Sequence, residues 1–498
     1  MNLDFQSFLK QYKQKLHEVF TASSEADENT LVRGIEDSTL NEIMDISPLS
    51  AFIPEEYGGF GAHTPEALAM LEASSYESLP LSLMMGINGA LFLQPVANYG
   101  EESVKKEIFG RVIKKNKLGG LMITEPDYGS DALRMQTSYE KDGDTYKIEG
   151  VKHWGGLTGM ADYWLITARG MNEKGDLERD ISFFIHDSRN GGIEVEEYYN
   201  NLGLYMLPYG KNRINIEVDK SHKLEPESTG VTMMLDLLHR SRLQFPGMGI
   251  GFLRRMMDEA VTHCKQRFVG GQSLFNYDQV KHRLSEIQAY FTICSAMCNF
   301  TGSKVPLDKN TSRMDIEANA IKSVVTDFMQ KASQSLLQLT GAMGYRLDHI
   351  AGRSVVDSRP FQIFEGSNDI LYQQITESVL KKMRRLKSKN LKEFLSEFTL
   401  TKRSSEYFKD TFNFEVDPKM PQRKLVDLGK VLGRMISMEF TLSLQDQGFN
   451  KELVQNALKT MEDEISSIMA NYMHGGDADV VEDYERESNW YKFALMDA

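Results

Sequence analysis

The 498-residue sequence predicts a mostly α fold with a middle β domain and a further helical extension at its C-terminal end. Three observations lead there. Apolar residues recur at three and four from Phe5 to about Lys117, as in Leu9, Tyr12, Leu16 and Leu68, Leu71. The period falls to two between Gly119 and about Ser228, and the helical period returns after Thr229. The domains expected are an N-terminal helical domain over 1–117, a β domain over 118–228, a C-terminal helical bundle over 229–386 and the extension over 387–498.

In the first domain the clearest break is Pro54 to Gly61, where turn-forming residues crowd together and predict an ordered loop between two helices. The β domain shows short alternating runs at 145–151, 163–168 and 181–185, separated by Gly, Asp and Asn turns. The bundle shows long stretches with little proline, Leu243 to Asn299 and Ile316 to Leu339. Leu425, Leu428, Leu432 and Met435 mark a helix in the extension. The extension is entered through a basic run, Lys381 to Lys389, and closes on an acidic one, Asp477 to Glu487. A solvated helix end opposing the negative pole of its dipole explains the basic run better than a membrane patch does.

The charge, 57 Lys and Arg against 71 Asp and Glu for a net −14, argues against a nucleic-acid partner. Cys264, Cys294 and Cys298 are too few for a disulfide framework and lack metal spacing, and the ten histidines form no paired-ligand motif, so no metal is expected. No run of 18 uninterrupted apolar residues predicts a transmembrane segment, and the first twenty residues lack the apolar stretch of a secretory signal. The expectation is a cytoplasmic protein.

Gly247-Met248-Gly249-Ile250-Gly251 superficially suggests a dinucleotide loop, but the spacing fails and Pro246 precedes it; small residues that let helices approach closely are the better explanation. Three other segments carry more. In MITEPDYGSDA, residues 122–132, Thr124, Ser130 and the backbone amides around Gly129 suit a polar heterocycle or a phosphate, though an ordinary turn fits as well. Trp154, beside Gly155 and Gly156, reads on local sequence as core and otherwise as the wall of a flat ring site. In FQIFEGSNDIL, residues 361–371, apolar neighbours around Glu365 are the surroundings that raise a carboxylate toward a useful general base. On local sequence alone, an exposed Glu at a strand-to-helix turn capped by Gly366 and Ser367 is the better reading.

Taken in order along one chain, these segments and their companions resemble the acyl-CoA dehydrogenase family. The resemblance runs from PEEYGGFGAHTPEALAMLE through ITEPDYGSDA, YKIEGVKHW, MADYWLITAR, RFVGGQSL, QVKHRLSEI and LQLTGAMGY to FEGSNDILYQQITESVL, about residues 40–385. It implies a helical domain, a β domain and a four-helix bundle with FAD wedged between them. It implies removal of a proton beside a thioester carbonyl and transfer of a hydride from the next carbon to flavin N5, giving a trans-2-enoyl thioester.

Residue by residue, the resemblance makes Glu365 the base, with Gly366 and Ser367 completing its motif. The backbone amide of Glu365, together with a flavin hydroxyl, is implied to hold the thioester oxygen. Ser241-Arg242 stands where some members carry their Glu on a helix, so the alternative base is missing. Arg242 is implied beside substrate and base, while a plain helix arginine with an acidic partner fits equally. Thr124, Gly129, Ser130, Trp154 and Gly156 fall where the family holds flavin, with Ser130 also near substrate. Ser367 and Asp369 fall where it touches FAD after the base. Arg267, Gln338 and Gly341 match segments that reach the FAD of a neighbouring subunit, which implies a homodimer or homotetramer. Gly156 departs from the usual Thr or Ser near N5, and Val356 from an arginine before Asp357. The implied partners are an acyl-CoA or acyl-carrier thioester and an electron-transfer flavoprotein. A flavin oxidase or monooxygenase on the same fold, or a non-catalytic scaffold, are the alternatives.

Overall fold

The structure, a computed structural model, describes residues 4–22, 33–408, 410–476, 479–486 and 488–494. Helix α1 (Phe5–His17) begins where the Asp4 carboxylate accepts the Ser7 amide, and its three-and-four spacing buries Phe8, Tyr12 and Leu16. Helices α2 (Asp37–Met44), α3 (Thr64–Glu77), α4 (Leu79–Asn88), α5 (Gln94–Tyr99) and α6 (Glu102–Lys115) complete the first helical region. The run Leu79–Tyr99 is long and apolar enough to cross a membrane, which a count of uninterrupted apolar residues misses. Its most apolar window is wholly buried inside the protein, so it forms core here.

The middle region is one seven-stranded sheet in the order β1 (Gly119–Met122), β4 (Tyr163–Gly170), β2 (Ser138–Asp142), β3 (Thr145–His153), β7 (Gly210–Asp219), β6 (Ile193–Tyr198), with β5 (Ser182–Asp187) pairing β4. Strict alternation along β7 gives it one buried and one exposed face. The three alternating runs expected from sequence fall on β3, β4 and β5.

Helix α7 (Gly230–Gln266) starts at the Thr229 cap, crosses the molecule for 37 residues and carries Pro246 in its interior. Its glycines work as close-approach positions. A Cβ at Gly251 would lie 2.1 Å from the Glu72 carbonyl of α3, and one at Gly249 would lie 2.4 Å from Val325. The expected continuity from Leu243 to Asn299 does not hold. A hairpin, β8 (Phe268–Val269) and β9 (Gln272–Ser273), turns through Gly270 and Gly271, both at positive φ, before α8 (Asp278–Lys304) begins. The helix ends at Gln266, and the two consecutive glycines close the hairpin that follows, where apolar periodicity gives no warning.

Helices α9 (Asp315–Thr340), α10 (Ile350–Ser358) and α11 (Asn368–Leu386) finish the bundle, with α7 packed against α9, α3 and α8. The basic run occupies the exposed last turn of α11, as a solvated helix end. In the extension, α12 (Leu391–Glu397) leads to α13 (Gln422–Asp446) and α14 (Lys451–His474). Helix α13 packs on α11, α8 and α9, and α14 on α13 and α8. A short helix, α15 (Trp490–Ala494), follows, and within the acidic stretch Asp477 and Glu487 lie outside the described residues.

Candidate active site

Glu365 lies on a turn between a 3-10 turn, Arg359–Gln362, and the start of α11, so no strand precedes it as the sequence reading expects. Phe361 anchors the turn from below, its ring 5.9 Å from Phe245 and 4.9 Å from Phe364. The turn then passes through two left-handed residues, Glu365 at φ 53 and Gly366 at φ 88. A Cβ at Gly366 would sit 2.8 Å from Leu371 Cδ2, which would have to move, and the positive φ favours glycine there in any case. A non-glycine residue at positive φ costs energy, and two buried cations hold this one in place. Arg242 Nε donates to the Glu365 carbonyl at 3.0 Å, and Lys322 Nζ donates to the Gly366 carbonyl at 2.8 Å.

The two carboxylate oxygens of Glu365 are not equivalent. Oε1 accepts the Ser241 hydroxyl at 2.9 Å, while Oε2 is buried and receives no hydrogen bond. Burial raises the carboxyl above its usual range, opposed by the charge of Arg242, the Ser241 hydrogen bond and the charge of Lys322. Burial also pulls Arg242 down to about 10 and Lys322 to about 7. Tyr209 is pushed up by its own burial and, further, by the negative charge of Glu365, which puts its phenol within electrostatic reach of that carboxylate. The reading of Glu365 as an exposed turn residue is therefore overturned. Arg242 is a helix arginine whose acidic partner is Glu365 itself: it grips the backbone of Glu365 and, through Nη1, donates to Asn319 Oδ1 at 2.9 Å.

A second wall forms where β1 and β3 end. The His153 amide donates to the Thr124 carbonyl at 2.9 Å, and the Trp154 amide donates to that of Gly210 at 3.0 Å. Trp154 stands at φ 55 and is 50% exposed, so the core reading of this indole fails. Its ring lies 4.6 Å from Tyr199 and 6.0 Å from Tyr209, which leaves a broad aromatic face. At Gly156 a Cβ would come within 2.8 Å of Ile87 Cδ1 and 3.4 Å of the Tyr209 ring, so a Thr or Ser there would have to displace the end of Ile87. Tyr209 thus links the two walls, beside Gly156 and within reach of the charge of Glu365. Gly129 and Ser130 are exposed, with open space around the Gly129 Cα. Glu125, from the same segment, turns inward instead, accepting Lys152 Nζ at 2.9 Å, the Thr137 hydroxyl at 2.5 Å and the Gln136 amide at 2.5 Å. That half of the motif braces the strands.

Ser367 occupies the N-cap position of α11 without a side-chain cap bond, against the capping expectation, and Asp369 is exposed, 3.7 Å from Lys430 of the extension. Arg267, Gln338 and Gly341 are exposed; His263, which feels the charge of Arg267 and donates to the Leu339 backbone, brings the end of α7 beside the end of α9. They do not join Glu365. Gln338 lies sixteen residues beyond Lys322 on α9, about 24 Å along the axis at the standard helical rise. Phe268, Met343 and Tyr345, the last 83% exposed, spread apolar surface beside them. Ser241, Lys322 and Tyr209 were not singled out from sequence as functional; a serine or lysine on a long helix has no local signature.

The profile of the acyl-CoA dehydrogenase N-terminal domain matches residues 10–116, that of the middle domain 120–215 and that of the C-terminal domain 228–380. The chain belongs to the acyl-CoA dehydrogenase family. Among relatives, the very long-chain specific mitochondrial acyl-CoA dehydrogenase of Macaca fascicularis is 21% identical over 377 residues, 74% of this chain and 57% of its own length. The chain therefore spans little more than half of that relative. Among solved structures, an acyl-CoA dehydrogenase complexed with FAD from Bacillus anthracis superposes with a TM-score of 0.75 at 17% identity, covering 96% of this chain and 89% of that one. The prolyl acyl carrier protein oxidase AnaB superposes with a TM-score of 0.67 at 18% identity over 76% of this chain and 99% of its own. The match to the Bacillus anthracis structure reaches into the extension, whereas the match to AnaB leaves about a quarter of this chain uncovered.

Proposed function

We propose that the chain is an FAD-dependent dehydrogenase of saturated acyl thioesters in which Glu365 is the base. The observation that carries this is the asymmetry of its carboxylate: one oxygen is fixed by Ser241 and the other is buried, unpartnered and raised in basicity by burial. A flavin fits the second wall, where Trp154 offers an open indole face, Thr124 a polar edge and Gly129 an uncrowded backbone. When bound, it supplies the acceptor for the hydride that leaves the third carbon of the acyl chain. Glu365 Oε2 takes the proton from the second carbon, Ser241 keeps the carboxylate from rotating away, and Arg242 holds the backbone so that the Glu365 amide meets the thioester oxygen. Arg267, Gln338 and Gly341, too remote to serve the same active site and set in exposed apolar surface, support a homodimer in which each subunit completes its neighbour's flavin site. The electron acceptor proposed is an electron-transfer flavoprotein.

Anaerobic titration of the yellow protein with saturated acyl-CoAs of graded length, read as flavin bleaching, tests this reading. Bleaching by one length range is expected. Bleaching only by acyl groups on a carrier protein moves the substrate to that class, and no bleaching by either removes the dehydrogenase reading. Rapid reaction of the reduced flavin with oxygen would mark an oxidase.

A further inference from the structure

The turn that carries Glu365 is tied to the C-terminal extension by a continuous series of buried polar contacts. Helix α13 approaches α11 very closely at Tyr372. A Cβ at Gly429 would lie 2.0 Å from the Tyr372 carbonyl, and one at Gly433 would lie 3.3 Å from the Tyr372 ring. The next residue, Arg434, is only 3% exposed. Its Nε donates to Glu464 Oε2 at 2.5 Å, and Glu464 Oε1 accepts Lys331 Nζ at 2.5 Å. On its other side the guanidinium lies 3.7 Å from Asp327 Oδ2 and donates to the Tyr372 hydroxyl at 3.5 Å; that hydroxyl donates to Asp327 Oδ2 at 2.6 Å.

Asp327 then grips both ends of the catalytic turn. Its Oδ1 accepts Gln362 Nε2 at 2.7 Å, before Glu365, and Asn368 Nδ2 at 2.8 Å, after it. Asn368 Oδ1 accepts Lys322 Nζ at 3.0 Å, the same ammonium that holds the Gly366 carbonyl. A largely buried carboxylate left without its counter-charge reorients, because an unpaired charge held away from water is unfavourable. With Asp327 disturbed, the turn loses its anchors at Gln362 and Asn368, on either side of the left-handed Glu365.

We infer that Arg434, on the extension, is a positioning residue for proton abstraction: it holds Asp327, and Asp327 holds the turn that aims Glu365. The inference rests on the reading of Glu365 as the base. It gives the extension a part in the reaction without touching substrate or flavin.

The test uses the full-length FAD-loaded protein and an acyl-CoA that bleaches it, comparing Arg434→Met, Arg434→Lys and Tyr372→Phe. The control is Arg403→Met, whose ion pairs to Glu439 and Asp446 lie within the extension and away from the turn. Single-turnover bleaching by Arg434→Met is expected to slow by about tenfold to a hundredfold, the scale of a misplacement near 1 Å. Flavin content and the half-saturating acyl-CoA concentration stay unchanged, Arg434→Lys regains part of the rate, and amide hydrogen exchange across 361–371 rises. Arg403→Met changes none of these. Bleaching by Arg434→Met at the control's rate overturns the inference, whether or not exchange rises. Should Arg434→Met not fold, Tyr372→Phe decides, an unchanged rate and unchanged exchange overturning it. A failure of the base reading is separate: Glu365→Gln would then still bleach, while the exchange readout continues to report the clamp.

Discussion

Glu365 occupies a conformation that costs a non-glycine residue roughly 1–2 kcal/mol, and its neighbours explain why it stays there. Arg242 and Lys322 hold two successive carbonyls, and Ser241 holds one carboxylate oxygen. Ser241→Ala removes a hydrogen bond that favours the charged form, so the carboxyl rises further. The acid limb of the bleaching-rate profile should move to higher pH, and an unmoved limb would show that the serine does not act on the base. A second buried acid, Asp357, accepts the Leu204 amide at 2.6 Å and is raised by burial to about 6, with Arg353 opposing. The folded protein keeps that proton up to about pH 6 while the unfolded chain releases it near 3.8, so stability falls as pH rises through that window. Asp357→Asn, which keeps an acceptor for Leu204, should flatten the fall and leave the protein more stable above pH 6 by up to roughly 3 kcal/mol, measured by urea unfolding at pH 4 and pH 7.

At this scale the sequence was legible where chemistry is local and illegible where it is assembled. Glu365, Gly366 and Thr124 stand in contiguous motifs and are found by reading along the chain. Lys322, Ser241 and Asp327 reach the same place from two long helices, where period-three-and-four spacing says only that a face is buried. Trp154 was misread because an indole beside glycines normally packs inward; a left-handed backbone turns it outward, and no residue-level signal announces that conformation.

Among the elements, α7 decides how tightly the N-terminal helices and the bundle enclose the site. Its glycines at 247, 249 and 251 were recognised as close-approach positions from their spacing, and the contacts with Leu68, Val325 and Glu72 agree. Gly251→Ala, with a Cβ that would fall 2.1 Å from the Glu72 carbonyl, should push α3 and α7 apart. The expected loss is about 1–3 kcal/mol, read as a lower urea midpoint, although alanine favours helix by about 1 kcal/mol over glycine. An unchanged or raised midpoint would mean that the two helices adjust freely. The hairpin at 268–273 was not legible as a break, since four residues of strand carry too little periodicity to register against two flanking helices.

In the whole molecule, helical, β and helical regions follow one another as the changes of period require, and three family profiles fall on them in that order. The extension packs on the bundle and is linked to the turn that carries Glu365 through Arg434 and Asp327, a connection no single segment encodes. The exposed grouping of Arg267, Gln338 and Gly341 predicts that sedimentation will show a dimer or a dimer of dimers. Arg267→Glu should lower flavin occupancy, read by absorbance per chain, while leaving secondary structure unchanged; full occupancy in that variant would detach Arg267 from the cofactor.

The central claim is that the unpartnered oxygen of Glu365 removes the proton that starts the reaction. Anaerobic addition of a bleaching acyl-CoA to Glu365→Gln tests it most directly. The account predicts that the variant binds flavin and ligand, keeps its yellow colour and shows no reduction; bleaching at the wild-type rate would contradict it.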